Sequence, residues 1–481
     1  MVTVTDEAPS IRTGERIMIL SAGVGSGHNS AAEALREECA ARADVEAVEV
    51  LDVLDVSSAL YRDLLGKGYF ALVDGAPWLV SLGYDFSDQP FKHRGPVDPW
   101  SRANAMPAIR RLRKFRPTAV ICTHFLPAQL MAAMILRGAL DARTAIVTTD
   151  YDFQGLWLAS AFHRLYLARE ESRVQLGELG IPLDRVRATG IPVRKQPADE
   201  SSDSGESAPL LIISAGASGG SYATTVVRQI QRVGAPMRAV VVCGRNDELR
   251  AQVEKITDGD PRFTVLGFTD RMPELLRDAS LFIGKPGGLS ASECMAAGLP
   301  MVLTSPIPGQ EVRNGDYLIE EGAAVRCATS VTIGWKVDQI LSTPGRLSSM
   351  QSRARAVGRP AAAADILENL LSSPTAPLII TRTAQKALLE ASENNLSASD
   401  LDDALVTLAS PESGDSLALI GSGELRELFE LAGGESDRLT LDRTALSYLG
   451  QRWGARRLVS RLLGDAPSFT VAVRPSTPHG Y

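Results

Sequence analysis

The sequence predicts an α/β protein built from two doubly wound halves that face a cleft, with a small, mainly helical region after them. Three observations lead there. Short apolar runs alternate with helix-period segments twice over, a polar stretch separates the two series, and a glycine-rich turn follows an apolar run in each series. Strands this uniformly apolar belong in a parallel sheet covered on both faces. Open sheets of that kind bind ligands at the C-terminal ends of their strands.

Taken in order, residues 1–14 read as a loose tail. MVTVTDEAPS has no basic segment leading into an apolar core, so no signal peptide is expected. The first half takes residues 15–193, with the runs IMILSA, VEAVEVLDV, TAVICTH, AIVTTD and RLYLA separated by helical patterns such as His28 to Arg42. Residues 194–209, with QPADESSDSGESA, are rich in Ser, Asp and Glu and read as a linker. The second half takes residues 210–373, through LLIISAGASGG, AVVVCGRND, FTVLGF, LFIGKPGG and PMVLTS. Residues 374–481 carry helical patterns at Thr383 to Asn394, Ser422 to Leu431 and Thr444 to Leu463, broken by GD, GSG and GG turns. No role is readable for this extension, and a structural add-on is its plain reading.

Composition narrows the function. A chain of 481 residues exceeds one ordinary core. A net charge of −7 argues against a general nucleic-acid binder. The five cysteines (Cys39, Cys122, Cys243, Cys294, Cys327) form no CxxC pair, so buried reduced thiols are expected and a zinc site is not. No apolar run approaches the roughly 18 residues that span a bilayer. The expected location is cytoplasmic, with any membrane contact peripheral.

The most informative segment is Gly284 to Asn314, GKPGGLSASECMAAGLPMVLTSPIPGQEVRN. An apolar run ends at Ile283, Lys285-Pro-Gly-Gly288 makes a side-chain-poor turn, and a helical stretch follows. Free N–H groups and the positive end of a helix suit a phosphate there. Glu293, one turn in, is near enough for a ribose. Gln310 and Glu311, from the next loop, are within reach of a sugar. A second glycine cluster, Ser21-Ala-Gly-Val-Gly-Ser-Gly-His28, follows the first strand. Its GxGxG spacing is not the dinucleotide fingerprint GxGxxG, so it is weak support for NAD. His28 would stand at a helix start inside the cleft, where the helix end favours a neutral imidazole able to act as a base.

Lys285-Pro-Gly-Gly288, Ser292-Glu293, Gly298-Leu-Pro300 and Pro306-Ile-Pro-Gly-Gln-Glu311 with Asn314 resemble the donor site of the diacylglycerol glycosyltransferases. That family includes the monogalactosyldiacylglycerol synthases and the processive diacylglycerol glucosyltransferases, relatives of MurG. The resemblance, which ends near Ser373, implies the GT-B architecture, with two Rossmann-like domains. It also implies an inverting, metal-independent hexosyltransferase that uses a UDP-sugar on the hydroxyl of diacylglycerol or a related lipid in glycolipid synthesis. On the donor side it implies roles for Gly216, Ser218, Arg245, Phe268, Lys285, Gly287, Gly288, Leu289, Ser290, Glu293, Pro308, Gly309, Gln310, Glu311 and Asn314. Catalysis would fall to His28 and Asp150, beside an acceptor loop of Gly25, Gly27, Asn29, Tyr151, Gln154 and Trp157. Gln154 departs from the family, which carries a His there, and this puts acceptor handling in question. The literal Asp150-x-Asp152 invites a metal, but a single DxD is common by chance and the resemblance implies none.

Arg110, Arg111, Arg113, Lys114 and Arg116 form the densest basic run, at a predicted helix end. It is read either as a solvated face or as contact with anionic headgroups at the inner face of the cell membrane. The aromatic segment from Tyr69 to Tyr84 reads either as acceptor entry or as a buried helix contact. Rival functions are an epimerase or hydrolase of UDP-sugars on the same fold, and a UDP-sugar-responsive binding protein without catalysis.

Overall fold

The structure, a computed structural model, describes residues 14–23, 26–65, 88–92, 99–196, 208–216, 222–373, 376–397, 405–409, 416–432, 438–455, 459 and 468–475. The aromatic segment from Tyr69 to Tyr84, Gly25, Ser218 and most of the expected linker lie outside them.

The first domain runs β1 (Glu15–Ser21), α1 (Ser26–Ala40), β2 (Val45–Asp52), α2 (Ala59–Leu65), α3 (Pro99–Phe115), β3 (Ala119–Cys122), α4 (Phe125–Leu136), β4 (Arg143–Val147), β5 (Ala161–Phe162), β6 (Arg164–Leu167), α5 (Glu170–Glu178) and β7 (Val186–Ala188). The second runs β8 (Leu210–Ser214), α6 (Tyr222–Ile230), β9 (Arg238–Val242), α7 (Asp247–Thr257), β10 (Phe263–Leu266), α8 (Met272–Asp278), β11 (Leu281–Gly284), α9 (Gly288–Ala296), β12 (Met301–Leu303), α10 (Gln310–Glu320), β13 (Ala324–Arg326), α11 (Ile333–Ser342), α12 (Arg346–Val357) and α13 (Ala362–Leu371).

Both sheets are parallel. Their orders are β2-β1-β3-β4-β6-β7 and β10-β9-β8-β11-β12-β13. In each, the chain leaves the starting strand to one side and later returns to its other side. The crevice at that reversal opens after β1 and β3 in the first domain and after β8 and β11 in the second. The two glycine-rich turns that stood out in the sequence lie at these points. Central strands are buried on both faces, as Ile17 to Leu20 and Leu281 to Ile283 show. That explains apolar runs without alternation.

Helix α13 crosses back from the second domain. Ile366, Leu367 and Leu370 share a core with Ile17, Ile19, Leu35 and Tyr166 under the first sheet. Tyr166 Oη also donates to Asn369, at 2.9 Å.

The extension contains helices at the three expected places, α14 (Arg382–Asn394), α15 (Ser422–Ala432) and α16 (Arg443–Arg452), although α16 stops at Arg452, before Gly454 with φ 66°, where the expected span ran to Leu463. It also contains five strands: β14 (Leu378–Ile380), β15 (Leu405–Ala409), β16 (Ser416–Gly421), β17 (Arg438–Asp442) and β18 (Ser468–Pro475). With β5 of the first domain these make a third sheet, ordered β17-β18-β15-β16-β14-β5. Strand β14 pairs antiparallel with β5, Leu378 opposite Phe162. One apolar core runs from Met131 and Trp157 into Leu419 and Leu446. The extension is therefore welded to the first domain rather than tethered to it. The helix-period segments between its strands dominate the sequence pattern.

Candidate active site

Polar groups tie the start of α1 to the ends of β1 and β2. Asn29 bridges Ser21 and Asp52, donating to the latter at 3.1 Å. Gly23 lies where a Cβ would collide with the Asp52 carboxylate. His28 is half-buried, on the first turn of α1. Its Nδ1 lies 3.0 Å from the Thr123 carbonyl and 2.9 Å from Thr149 Oγ1. A carbonyl oxygen only accepts, so Nδ1 carries the proton and Nε2 keeps its lone pair. Among the described residues nothing bonds that Nε2. Burial lowers the His28 pKa, and the nearby Asp150 charge partly opposes it. The imidazole is thus neutral at neutral pH with a lone pair to offer.

His124 packs edge-on to His28, with centroids 4.5 Å apart. It accepts from Leu126 N at 3.0 Å through Nδ1, which leaves the proton on Nε2, the reverse of His28. Burial first, and then His28, hold its pKa well below the usual imidazole value. Buried Trp157 completes the aromatic wall, 6.3 Å from both imidazoles. Gln154 starts the turn Gly155–Trp157 without capping it.

Asp150 and Tyr151 follow β4 and are buried. Asp150 accepts from Asn314 Nδ2 at 3.1 Å and from Gln310, while desolvation raises its pKa. The Tyr151 N–H donates to Asn314 Oδ1 at 2.8 Å, and Ser292 Oγ donates to the Tyr151 hydroxyl at 3.1 Å. Asp152 is committed to Arg313 at 2.6 Å and Arg169 at 3.2 Å, and Arg313 also reaches Asp88 at 2.8 Å. The DxD is thus divided between a cross-domain amide contact and a cross-domain ion pair. Among the described residues no cluster of His, Cys, Asp and Glu is arranged to hold a metal.

Across the cleft, α9 starts at Gly288 with no side-chain cap on Gly287. The first-turn N–H groups of Gly288, Leu289 and Ser290 therefore carry the helix's positive end without a described partner. The two helix starts meet: a Cβ on Gly27 would touch Leu289, and one on Gly288 would overlap the Thr149 carbonyl oxygen. Lys285 lies over the Tyr222 ring at 5.6 Å. Burial pushes the Glu293 carboxyl up to about 7, opposed by Arg194. Glu311 accepts from Ile307 N at 2.6 Å, and its pKa is raised chiefly by burial. Gly309, after the half-buried Pro308, has φ 89° and ψ −107°, a conformation suited to glycine, and it starts α10. At the outer end Arg245 stacks over exposed Phe268 at 4.7 Å, and Gly216 is open, with φ 79°.

Asn314 was expected to face the donor. It is fully buried instead, and its amide is committed at both ends to the first domain. His124, Thr123, Thr149 and Arg313 were not singled out from the sequence. Position was the available signal for the first three: like Asp150, they end apolar runs at the C-terminal edge of a parallel sheet. Arg110, Arg111, Arg113, Lys114 and Arg116 lie apart from the cleft residues, exposed on and just after α3, and Arg111 is paired to Glu49.

Two family comparisons divide along the same lines as the fold. Residues 28–193 match the monogalactosyldiacylglycerol (MGDG) synthase family, and residues 218–338 match glycosyl transferases group 1. The processive diacylglycerol beta-glucosyltransferase of Bacillus licheniformis is 26% identical over 356 residues, 72% of this chain and 92% of its own. The Staphylococcus saprophyticus protein of the same name is 28% identical over 54% of this chain and 68% of its own. The one from Bacillus subtilis is 25% identical over 75% and 96%. Among solved structures, MurG of Acinetobacter baumannii superposes with a TM-score of 0.50 and 17% identity, over 74% of this chain and 98% of its own, which bears on the fold. The two-domain fold and the paired matches define a glycosyltransferase, one that transfers a hexosyl group. Within that class the chain resembles the diacylglycerol glycosyltransferases, as its motifs implied.

Proposed function

We propose that the chain transfers a hexose from a UDP-sugar to a lipid hydroxyl, most readily that of diacylglycerol, with inversion and without a metal. The observation that carries this reading is a pair of complementary features on opposite walls of one cleft. A neutral His28 with a free Nε2 stands on one side, and the uncapped start of α9 stands on the other. The names of the relatives supply the acceptor class.

In the reaction, the acceptor oxygen attacks the anomeric carbon from the face opposite the diphosphate. The new C–O bond forms as the bond to the β-phosphate oxygen breaks. His28 Nε2 takes the hydroxyl proton, and Asp150 stabilises the imidazolium that results. The N–H groups from Gly288 to Ser290, with Lys285, receive the charge on the departing UDP. That placement replaces the task a divalent cation performs elsewhere. Glu293 binds the ribose, Gln310 and Glu311 the sugar, and the Arg245–Phe268 pair the uracil end. Exposed cations of α3 hold the protein to anionic lipid at the inner face of the cell membrane. No helix among the described residues is long and apolar enough to cross a membrane.

The test is radiolabel transfer from UDP-hexoses to diacylglycerol in mixed micelles with excess EDTA. Lipid-borne label is expected. UDP release independent of diacylglycerol would favour a hydrolase or epimerase, and dependence on added Mg²⁺ would reject the metal-free mechanism.

A further inference from the structure

Helix α10 carries two sets of contacts. Its first turn holds Gln310 and Glu311, at the donor side. Its second presents Asn314 to the opposite domain, and that side chain is fully buried. Asn314 Oδ1 accepts the Tyr151 N–H at 2.8 Å while Nδ2 donates to Asp150 Oδ1 at 3.1 Å. A single amide therefore fixes the backbone of the acceptor turn and one oxygen of the carboxylate beside His28. Gln310, one turn earlier on the same helix, bonds the same carboxylate. Neither contact exists unless the donor domain is seated on the acceptor domain.

We propose that Asn314 is a positioning residue that makes the Asp150–Tyr151 turn dependent on closure of the donor domain. Asp150 then stands in place to support His28 only when α10 is docked. The proposal rests on the transferase reading above. It assigns Asn314 to the acceptor side of the reaction rather than to sugar recognition.

Two variants and one measurement independent of turnover test it. In N314A both bonds are lost. Transfer kcat is expected to fall about 30-fold or more, in keeping with loss of catalytic alignment. UDP affinity by calorimetry should stay within about twofold. In N314D the acceptor for Tyr151 N–H survives, but a carboxylate now faces Asp150. The other ionisable groups facing Asp150 are His28 from α1, Asp152 from its own turn and Glu311 from α10. Two adjacent carboxylates share a proton. Activity of N314D should therefore recover as pH is lowered, moving the optimum about one unit to the acid side of wild type. Amide exchange at Tyr151 should accelerate in N314A and stay protected in N314D, whether or not the protein is turning over.

Equal losses of UDP affinity and kcat in N314A would return Asn314 to the donor site and overturn the proposal. An unshifted pH profile in an active N314D, or unchanged Tyr151 exchange in N314A, would overturn it as well. Absence of transfer by wild type with every UDP-hexose would instead reject the transferase reading, and the exchange experiment would still decide whether the clamp exists.

Discussion

Gly288→Ala probes cleft closure with one methyl group. A Cβ at Gly288 would lie 1.9 Å from the Thr149 carbonyl oxygen and 3.1 Å from Asp150 Oδ1. Real Cβ contacts essentially never fall below 3.0 Å, so one backbone must retreat from the other by about 1 Å. The obstructing atom is main chain, so no rotamer change relieves it. The same retreat lengthens the bonds from Asn314 to Tyr151 and Asp150, now 2.8 and 3.1 Å, to the limit of hydrogen bonding or past it. Misplacing reacting groups by 1 Å costs on the order of 100-fold in rate, and the overpacking itself costs about 1–3 kcal/mol of stability. Gly287→Ala is the comparison: its methyl group would enter the donor side without touching the first domain, so any effect should appear in the KM for the UDP-sugar. Its φ of −64° suits any residue, and its Cβ would meet Glu311 at an ordinary 3.6 Å. Steady-state transfer with both substrates varied should show kcat down about 100-fold for G288A and within about threefold for G287A. A G288A enzyme with wild-type kcat, or two variants equally impaired, would refute the claim that this glycine exists for domain contact.

The remaining predictions concern protons and surfaces. Because burial lowers the His28 pKa, the acid limb of kcat/KM for the lipid acceptor, at saturating UDP-hexose, should fall below the ordinary imidazole value near 6.5, with unit slope, and vanish in H28A along with about 10²–10⁴ of the rate. Burial pushes the Glu293 carboxyl up to about 7, and its ionised form is the better acceptor for ribose hydroxyls. UDP should therefore bind more tightly as pH rises from 6 to 8, by about threefold to tenfold, and the trend should flatten in E293Q; calorimetry at fixed ionic strength decides this. Replacing Arg110, Arg111, Arg113 and Lys114 by Gln should weaken sedimentation with anionic vesicles at least about tenfold and leave UDP affinity alone. Equal binding of the variant and wild type would make α3 a solvated face.

Much of the molecule was legible because parallel sheets leave a strong signature. Runs such as IMIL and LFIG declare strands buried on both faces, and glycines directly after them mark turns at the sheet's ligand edge. Glu293 and His28 were placed by those turns alone. What escaped was set by contacts distant in sequence. Nothing near Asn314 says that its amide spans the cleft to Asp150. His124 reads as the end of an apolar run until the fold sets it against His28. The sheet of the extension was missed for another reason: its strands lie among amphipathic helices whose period dominates the pattern, and β14 pairs with β5, more than 200 residues earlier. Basic α3 was easy to see, but no pattern in it distinguishes a lipid contact from a solvated face.

On the proposed mechanism, His28 and the start of α9 together perform glycosyl transfer to a lipid hydroxyl. Its most direct test is a panel of radiolabelled UDP-hexoses incubated with membrane lipid extract and purified protein, wild type beside H28A, with the lipid phase counted. Wild type should place label in lipid from at least one UDP-hexose and H28A should lose nearly all of it, while both proteins still bind UDP. Full lipid labelling by H28A would contradict it.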